Sequence, residues 1–218
     1  MDALTPTGMG LRERKKHETR QRLAHVATLL FIERGFDTVT ISEIAEAADV
    51  SKKTVTNYFP LKEDLVFDAH ELAVDSLART VRERPVAASA LHALRDAYLA
   101  ALTGGDYSVL TGQASPGFAR LVHSSARLRD REREIDEQRE QALAEELAAA
   151  TGAPAHDTTP RFAAAHLAAV HRVLIRSMRE MARDGVAARE ANARTAEVAE
   201  RAFTALEPLL GDYAVREA

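Results

Sequence analysis

Apolar residues recur at helical spacing along almost the whole chain, and no segment alternates apolar and polar positions as a half-buried strand would. Leu23, Val26, Ala27, Leu30 and Phe31 fill the i, i+3, i+4, i+7, i+8 template and predict a first helix from about Glu13 to Arg34, stopped by Gly35. Residues 1–10, with Pro6, Gly8 and Gly10, show no period and predict a disordered arm. Thr40-Ile41-Ser42-Glu43 is a capping box that opens a short helix, whose Ile41, Ile44, Ala45 and Ala48 keep one face apolar. Asp49-Val50 makes a turn and Ser51 caps a second short helix, Lys52 to Phe59, with Val55 and Phe59 inward. Pro60 fits the first turn of a further helix reaching Glu83, whose face would be Leu61, Leu65, Phe67, Leu72 and Leu77. Residues 87–103 place Leu91, Leu94, Tyr98 and Leu102 inward, and Gly104-Gly105 ends that helix. Residues 106–126 are irregular. A long charged helix over about 127–150 follows, then one over 160–184 carrying Phe162, Leu167, Val170, Leu174, Met178 and Met181. A last helix over 188–210 aligns Val198, Ala202, Leu206 and Leu209. The pattern predicts an all-α fold of about nine helices, with a small three-helix N-terminal domain over 1–66 and a larger helical domain over 67–218.

The second short helix carries the first chemical signal. With Val55 and Phe59 buried, it turns Lys52, Lys53, Thr54, Thr56, Asn57 and Tyr58 outward. Lysines, short hydroxyls, an amide and a tyrosine on one exposed helix suit a DNA major groove. A net charge of −4 argues against a nucleic-acid partner until its distribution is considered. Arg12, Arg14, Lys15, Lys16, Arg20 and Arg22 face only Glu13 and Glu18, and Lys52, Lys53 and Lys62 join the same end. A basic module on an acidic body is the asymmetry expected of a DNA binder. The absence of cysteine removes disulfides, thiolate metal sites and a cysteine nucleophile. The N-terminus has no secretory apolar region, and no stretch approaches a membrane span, which predicts a soluble cytoplasmic protein with no membrane partner.

The segment Thr40–Leu65 resembles the helix-turn-helix of the TetR (tetracycline repressor) family of one-component regulators, and the resemblance spans roughly residues 12–66. It rests on Gly35-Phe36, Thr38-Val39-Thr40-Ile41, Ile44-Ala45, Val50-Ser51, Thr54, Tyr58-Phe59 and Lys62-Glu63-Asp64-Leu65. Two positions depart from it: Asp49 and Lys53 stand where many members carry glycine. Asp tolerates left-handed backbone angles better than most residues, so the turn should survive, while Lys53 adds charge to the reading face. The resemblance implies a DNA-binding transcriptional regulator, a homodimer on a palindromic operator, released by a small-molecule effector. It implies phosphate contacts by Thr40, Tyr58 and Lys62. Base reading would then fall to Lys52, Lys53, Thr56 and Asn57, with Thr54 on the same surface. The last two helices are the candidate dimer interface, through Leu174, Val198, Ala202, Leu206 and Leu209. The pocket candidates are Phe67, Tyr98, Tyr107, Phe118, His123, Phe162, His166 and Met178. The segment Phe118–Leu147 is similar to the effector domain of mycofactocin-regulator-like members, which implies an acyl-CoA-type ligand. Arg120, Arg127 or Arg131 would then hold its anionic head.

The remaining motifs point away from catalysis. His70-Glu71 would begin a metalloprotease signature only with His at position 74, which is Val74. His166 and His171 are five apart and do not share a helix face well enough for a metal pair. Ser115, Ser124 and Ser125 lack a nucleophile elbow. The run from Arg127 to Glu134 reads most simply as a solvated face of i, i+4 ion pairs. Neither metal nor cofactor is expected. The competing reading is a scaffold or enzyme that keeps a helix-turn-helix for protein contacts. Sequence-specific, salt-sensitive DNA binding separates the two.

Overall fold

A computed structural model describes residues 10–104 and 116–217, and among these residues all regular structure is helical. Nine α-helices follow in order: α1 Leu11–Arg34, α2 Ile41–Ala47, α3 Lys52–Tyr58, α4 His70–Arg82, α5 Ala90–Gly104, α6 Pro116–Ser124, α7 Ala126–Thr151, α8 Thr159–Arg183 and α9 Ala188–Leu210. The chain divides into two compact units, one ending at Asp68 and one starting at Ala69.

The first unit is built on local signals. Leu23, Ala24, Ala27 and Phe31 form the buried stripe of α1, and Gly35 leaves the helix at φ 87°, where a side chain would be strained. The Thr40 hydroxyl accepts from the Glu43 amide while the Glu43 carboxylate accepts from the Thr40 amide, so both arms of the capping box are formed. Such a cap is worth about 1 kcal/mol. Asp49 takes φ 53°, the left-handed turn expected of it. Ser51 accepts from the Thr54 amide and opens α3, and Val55 and Phe59 are buried.

One expected helix is broken. No continuous helix runs from Pro60 to Glu83; Glu63–Leu65 is a single 3₁₀ turn, and α4 starts only at His70. The Asp68 carbonyl, which a continuous helix would give to the amide four residues on, accepts from Arg20 at 3.1 Å instead. The expected apolar face breaks with it. Leu65 and Leu77 are buried, but Leu61 and Leu72 are exposed.

In the second unit α4 packs on α7, α7 on α8, α8 on α9 and α9 on α5. Leu77, Val81, Leu91, Leu94, Leu143, Leu147, Leu167, Leu174 and Phe203 fill the centre. The tail returns to the α4–α5 connection: Ala87 donates to the Arg216 carbonyl at 2.9 Å and Arg216 to that of Ala88 at 3.0 Å. Arg84, buried, donates to the carbonyls of Ala214 and Val81.

Candidate nucleic-acid interface and regulatory core

On α3 the side chains of Lys52, Lys53, Thr56 and Asn57 are exposed. Lys52 and Thr56, and Lys53 and Asn57, are four apart, so the four form one continuous patch. Thr56 spends its hydroxyl hydrogen on the carbonyls of Lys52 and Lys53 at 3.3 and 3.1 Å, and presents its lone pairs and methyl outward. Thr54 is half-buried, its hydroxyl 2.8 Å from that of Ser51. Tyr58 is half-buried. Thr40 is exposed, its hydroxyl engaged in the cap of α2. Glu43, the other half of that cap, is held down to about 2, first by the Thr40 amide and hydroxyl and then by Arg34 at 2.5 Å. It is therefore an anion at neutral and mildly acidic pH.

Lys62 is placed differently from its expected role. Its ammonium donates to the Phe36 carbonyl at 2.5 Å and lies 4.4 Å from the Phe36 ring centroid and 5.5 Å from that of Phe31. A phosphate contact would have to compete with that carbonyl and those faces. The N-terminal basic run is helical from Leu11, with Arg14 beside Glu18 at 3.8 Å.

The pocket candidates do not converge. Tyr98 and Met178 share the core of the second unit. Phe67 lies in the first unit, and Tyr107 lies outside the described residues. Phe162 is 66% exposed and lies outside the buried stripe of α8. Arg120, His123 and Arg127 are exposed too, so none holds an anion inside the unit. His166 is half-buried and its Nδ1 is 2.7 Å from the Phe162 carbonyl one turn back. Phe118 is buried, with the Arg179 guanidinium 5.5 Å from its ring. Arg131 pairs with Glu134 at 2.9 Å at i, i+3 rather than i, i+4, and its own side chain is only 12% exposed, so it does not lie on the solvated face expected of the run. A shallow groove of about 530 Å³ between α4 and α7 is lined by Val74, Glu134, Gln138, Gln141 and Glu145, and none of the candidates lines it.

The polar groups that do enter the second unit were not expected. Arg139 is 3% exposed; its Nε donates to the Ala73 carbonyl at 2.8 Å and it pairs with Asp136. The signal was its spacing, for it falls on the stripe of Leu128, Ile135, Leu143 and Leu147. His171 hydrogen-bonds through Nδ1 to the Tyr98 hydroxyl, while its Nε2 is buried without a partner. Burial first, and then Arg139 and Arg172, push the imidazole well below its usual range, so it is neutral; burial pushes the Tyr98 hydroxyl up. Arg179 pairs with Glu132, and burial lowers its guanidinium to about 10.

The interface stripe needs one correction. Leu174 is 1% exposed because it packs into the core of the second unit, and so it is not part of the outward surface of α8. Val198, Ala202 and Leu206 are partly buried against the core, and Leu209 is 58% exposed. Val173 at 58% and Phe162 are the outward apolar residues of α8.

Among the described residues, no helix is long and apolar enough to cross a membrane, and no His/Cys/Asp/Glu group could hold a metal ion. Residues 23–69 match the sequence family described as bacterial regulatory proteins, tetR family. The HTH-type transcriptional regulator TcmR of Streptomyces glaucescens is 31% identical over 176 residues, covering 79% of this chain and 78% of that protein. Two solved structures share the fold. NalD, the secondary repressor of the MexAB-OprM multidrug efflux pump in Pseudomonas aeruginosa, is 20% identical at a TM-score of 0.53, over 87% of this chain and 97% of that one. SmeT in complex with triclosan is 16% identical at a TM-score of 0.53, over 90% of this chain and 94% of that one.

Proposed function

Since this chain belongs to the tetR family of bacterial regulatory proteins and is a DNA-binding transcriptional regulator, we propose that it is a repressor that binds a palindromic operator as a homodimer and is released by a small molecule. The observation that carries the reading is the exposed patch of Lys52, Lys53, Thr56 and Asn57 on a helix whose other side is anchored by Val55 and Phe59. A lysine there suits guanine O6 and N7, and Asn57 suits adenine N6 and N7. Thr40 and Tyr58 flank the patch as phosphate contacts, and Thr54 supports it through Ser51.

A seven-residue reading helix touches few base pairs. Two copies related by a two-fold axis read half-sites about 34–36 Å apart, or a multiple of that. The proposed contact is the α8–α9 face. These helices are joined by residues 184–187 and pack on each other, so they run antiparallel. Phe162 and Val173 on α8 and Leu209 on α9 are exposed, Ala169, Val198 and Ala202 are half-buried, and the alanines are small enough for close helix approach. The NalD and SmeT structures support the fold of such a regulator, and the triclosan in SmeT supports a small molecule as the releasing agent. Of the interior polar groups, the Tyr98–His171 pair is the one an effector with a hydrogen-bond acceptor would meet. An acyl-CoA-type effector would need Arg120 or Arg127 to turn inward from their exposed positions.

The test is selection of duplex sites from a random pool by the purified protein. A palindrome is expected, with affinity falling steeply as salt rises. Asn57→Ala should then cost about 1–3 kcal/mol at its own base pair and relax sequence choice there. Ala202→Glu should give a folded monomer by sedimentation that no longer holds the operator. Recovery of no site at all would favour a scaffold that keeps the helix-turn-helix for protein contacts.

A further inference from the structure

Within the N-terminal basic run, Arg20 is drawn inward. It lies one turn before Leu23 and Ala24, at the head of the buried stripe of α1. One terminal nitrogen donates to the Tyr58 carbonyl at 2.9 Å, the other to the Asp68 carbonyl at 3.1 Å, and the guanidinium carbon lies 4.4 Å from the Phe59 ring centroid. Tyr58 is the last residue of α3, and Asp68 is the last residue of the first unit.

A helix of seven residues does not hold its own direction. Helices below about 12–15 residues are marginal in water, so tertiary contacts must orient it. The N-terminal end of α3 is closed by Ser51, a residue of the same segment, and its middle is anchored by Val55. Its C-terminal carbonyls have no partner inside the helix. Arg20 satisfies one of them and sets a positive charge at the negative end of the helix dipole. The planar fork also stacks on Phe59, so two hydrogen bonds and a ring fix it in three directions.

We propose that Arg20 is a positioning residue for operator recognition: without touching DNA, it clamps the end of α3 to the end of the first unit and so sets the angle at which Lys52, Lys53, Thr56 and Asn57 meet the groove. The proposal rests on the operator-binding reading above. It separates Arg20 from the other cations of the run, which would act through the phosphate field.

Arg20→Lys and Arg20→Gln test it in the full chain, on the duplex selected by the unaltered protein and on an unrelated duplex. Lysine keeps the charge, but its single ammonium cannot bridge both carbonyls and stack. Both variants should lose about ten- to a hundredfold in affinity for the selected duplex, the scale of a lost charge-assisted hydrogen bond. Affinity for the unrelated duplex and the dependence of log K on log salt should stay as they are. In the free protein, amide exchange should accelerate at residues 55–59 while the amides of α1 and α2 keep their protection. Arg20→Lys binding like the unaltered protein would overturn the proposal. So would equal losses on both duplexes with the salt slope falling by about one, the mark of a phosphate contact. Loss of protection throughout α1 and α2 would show a general stability role and overturn it too. If the unaltered protein selects no duplex, the operator reading itself fails, and that outcome is distinct from all three.

Discussion

In the first unit, the cations that leave solvent settle on backbone carbonyls and aromatic faces: Arg20 on Tyr58, Asp68 and Phe59, and Lys62 on Phe36 and Phe31. In the second unit, carboxylates join in: Arg139 pairs with Asp136 as well as with the Ala73 carbonyl, Arg179 with Glu132 and Arg172 with Glu140, while Arg84 donates to carbonyls. A carbonyl cannot titrate and is fixed by the fold; a carboxylate can lose its charge and leave a buried cation behind. The small unit therefore anchors Arg20 and Lys62 on groups that do not titrate, beside an Arg34–Glu43 pair that does so only in strong acid, while the large one carries interior ion pairs whose carboxylates can lose their charge. That suits a DNA-reading module joined to a responsive body.

The largest expected effect follows from this difference. Asp136→Ala strands the buried Arg139 guanidinium with the Ala73 carbonyl. Breaking a buried ion pair from one side costs about 3–5 kcal/mol. Denaturant unfolding, read with amide exchange in α7 and α8, should show that loss in the second unit. Lys62→Met removes a carbonyl bond and two ring contacts from the first unit and should cost less, about 1–2 kcal/mol. Equal losses from the two substitutions would erase the distinction between the units.

Acid should sharpen it next. His171 has a folded value well below 6.5, because burial disfavours its charged form. Below about 6.5 the unfolded chain takes up a proton that the folded one refuses, so stability falls as pH falls, by up to about 1.4 kcal/mol per pH unit. Glu43 in the first unit is also depressed, to about 2 from 4.5, by its Thr40 bonds and Arg34. Its contribution is present above 4.5 and fades as pH falls from there towards 2. Acidification from neutrality should therefore loosen α7 and α8 before it loosens α2. His171→Phe should flatten the slope between pH 6.5 and 5, and Glu43→Gln should lower the stability of the first unit above pH 4.5 and flatten its slope only below that. Simultaneous loosening of both units in wild type, beginning near pH 6.5, would count against the comparison.

What could be read in advance follows the same line. In the first unit the signals are local: Thr40 with Glu43, Ser51 with Thr54, Gly35 and Asp49 each act within four residues. The break before α4 was not legible, because the Asp68 carbonyl is claimed by a guanidinium 48 positions away in sequence. In the second unit α8 is amphipathic, with Ala163, Leu167, Val170, Leu174 and Met178 on its buried stripe, but it also carries Phe162 and Val173 outside that stripe. Leu174 was placed on the outer stripe and Phe162 in the pocket, and the fold reverses both. Arg139 sits inside a run of charges that reads as a wet surface, though its spacing from Leu143 and Leu147 matches the core stripe. His171, between Leu167 and Leu174, carries the same signal. A charged or aromatic residue at a core register was the clue, and composition hid it.

The smallest expected effect returns to the first unit and its turn. Asp49 is exposed and sits at φ 53°, followed by the Ala45 carbonyl accepting from the Val50 amide at 2.9 Å. An L-residue there bears a left-handed cost of about 1 kcal/mol, softened for Asp, that glycine avoids. Glycine in turn loses more freedom on folding, which offsets part of the gain. Asp49→Gly should therefore stabilise the first unit by only about 0.5 kcal/mol. It also deletes an anion two residues before the Ser51 cap of α3, where the helix dipole favours negative charge but the phosphates of a bound duplex do not. Asp49→Asn separates the two effects, since it keeps the tolerance for left-handed angles and removes the charge. Asn should leave thermal unfolding of the first unit nearly unchanged and raise affinity for every duplex slightly at low salt. Gly should add the small gain in stability to that same gain in binding. A glycine variant less stable than the parent would mean that the Asp49 carboxylate holds the α2–α3 turn through its charge at the head of α3, and the surface of the first unit would then be less independent of titration than its interior.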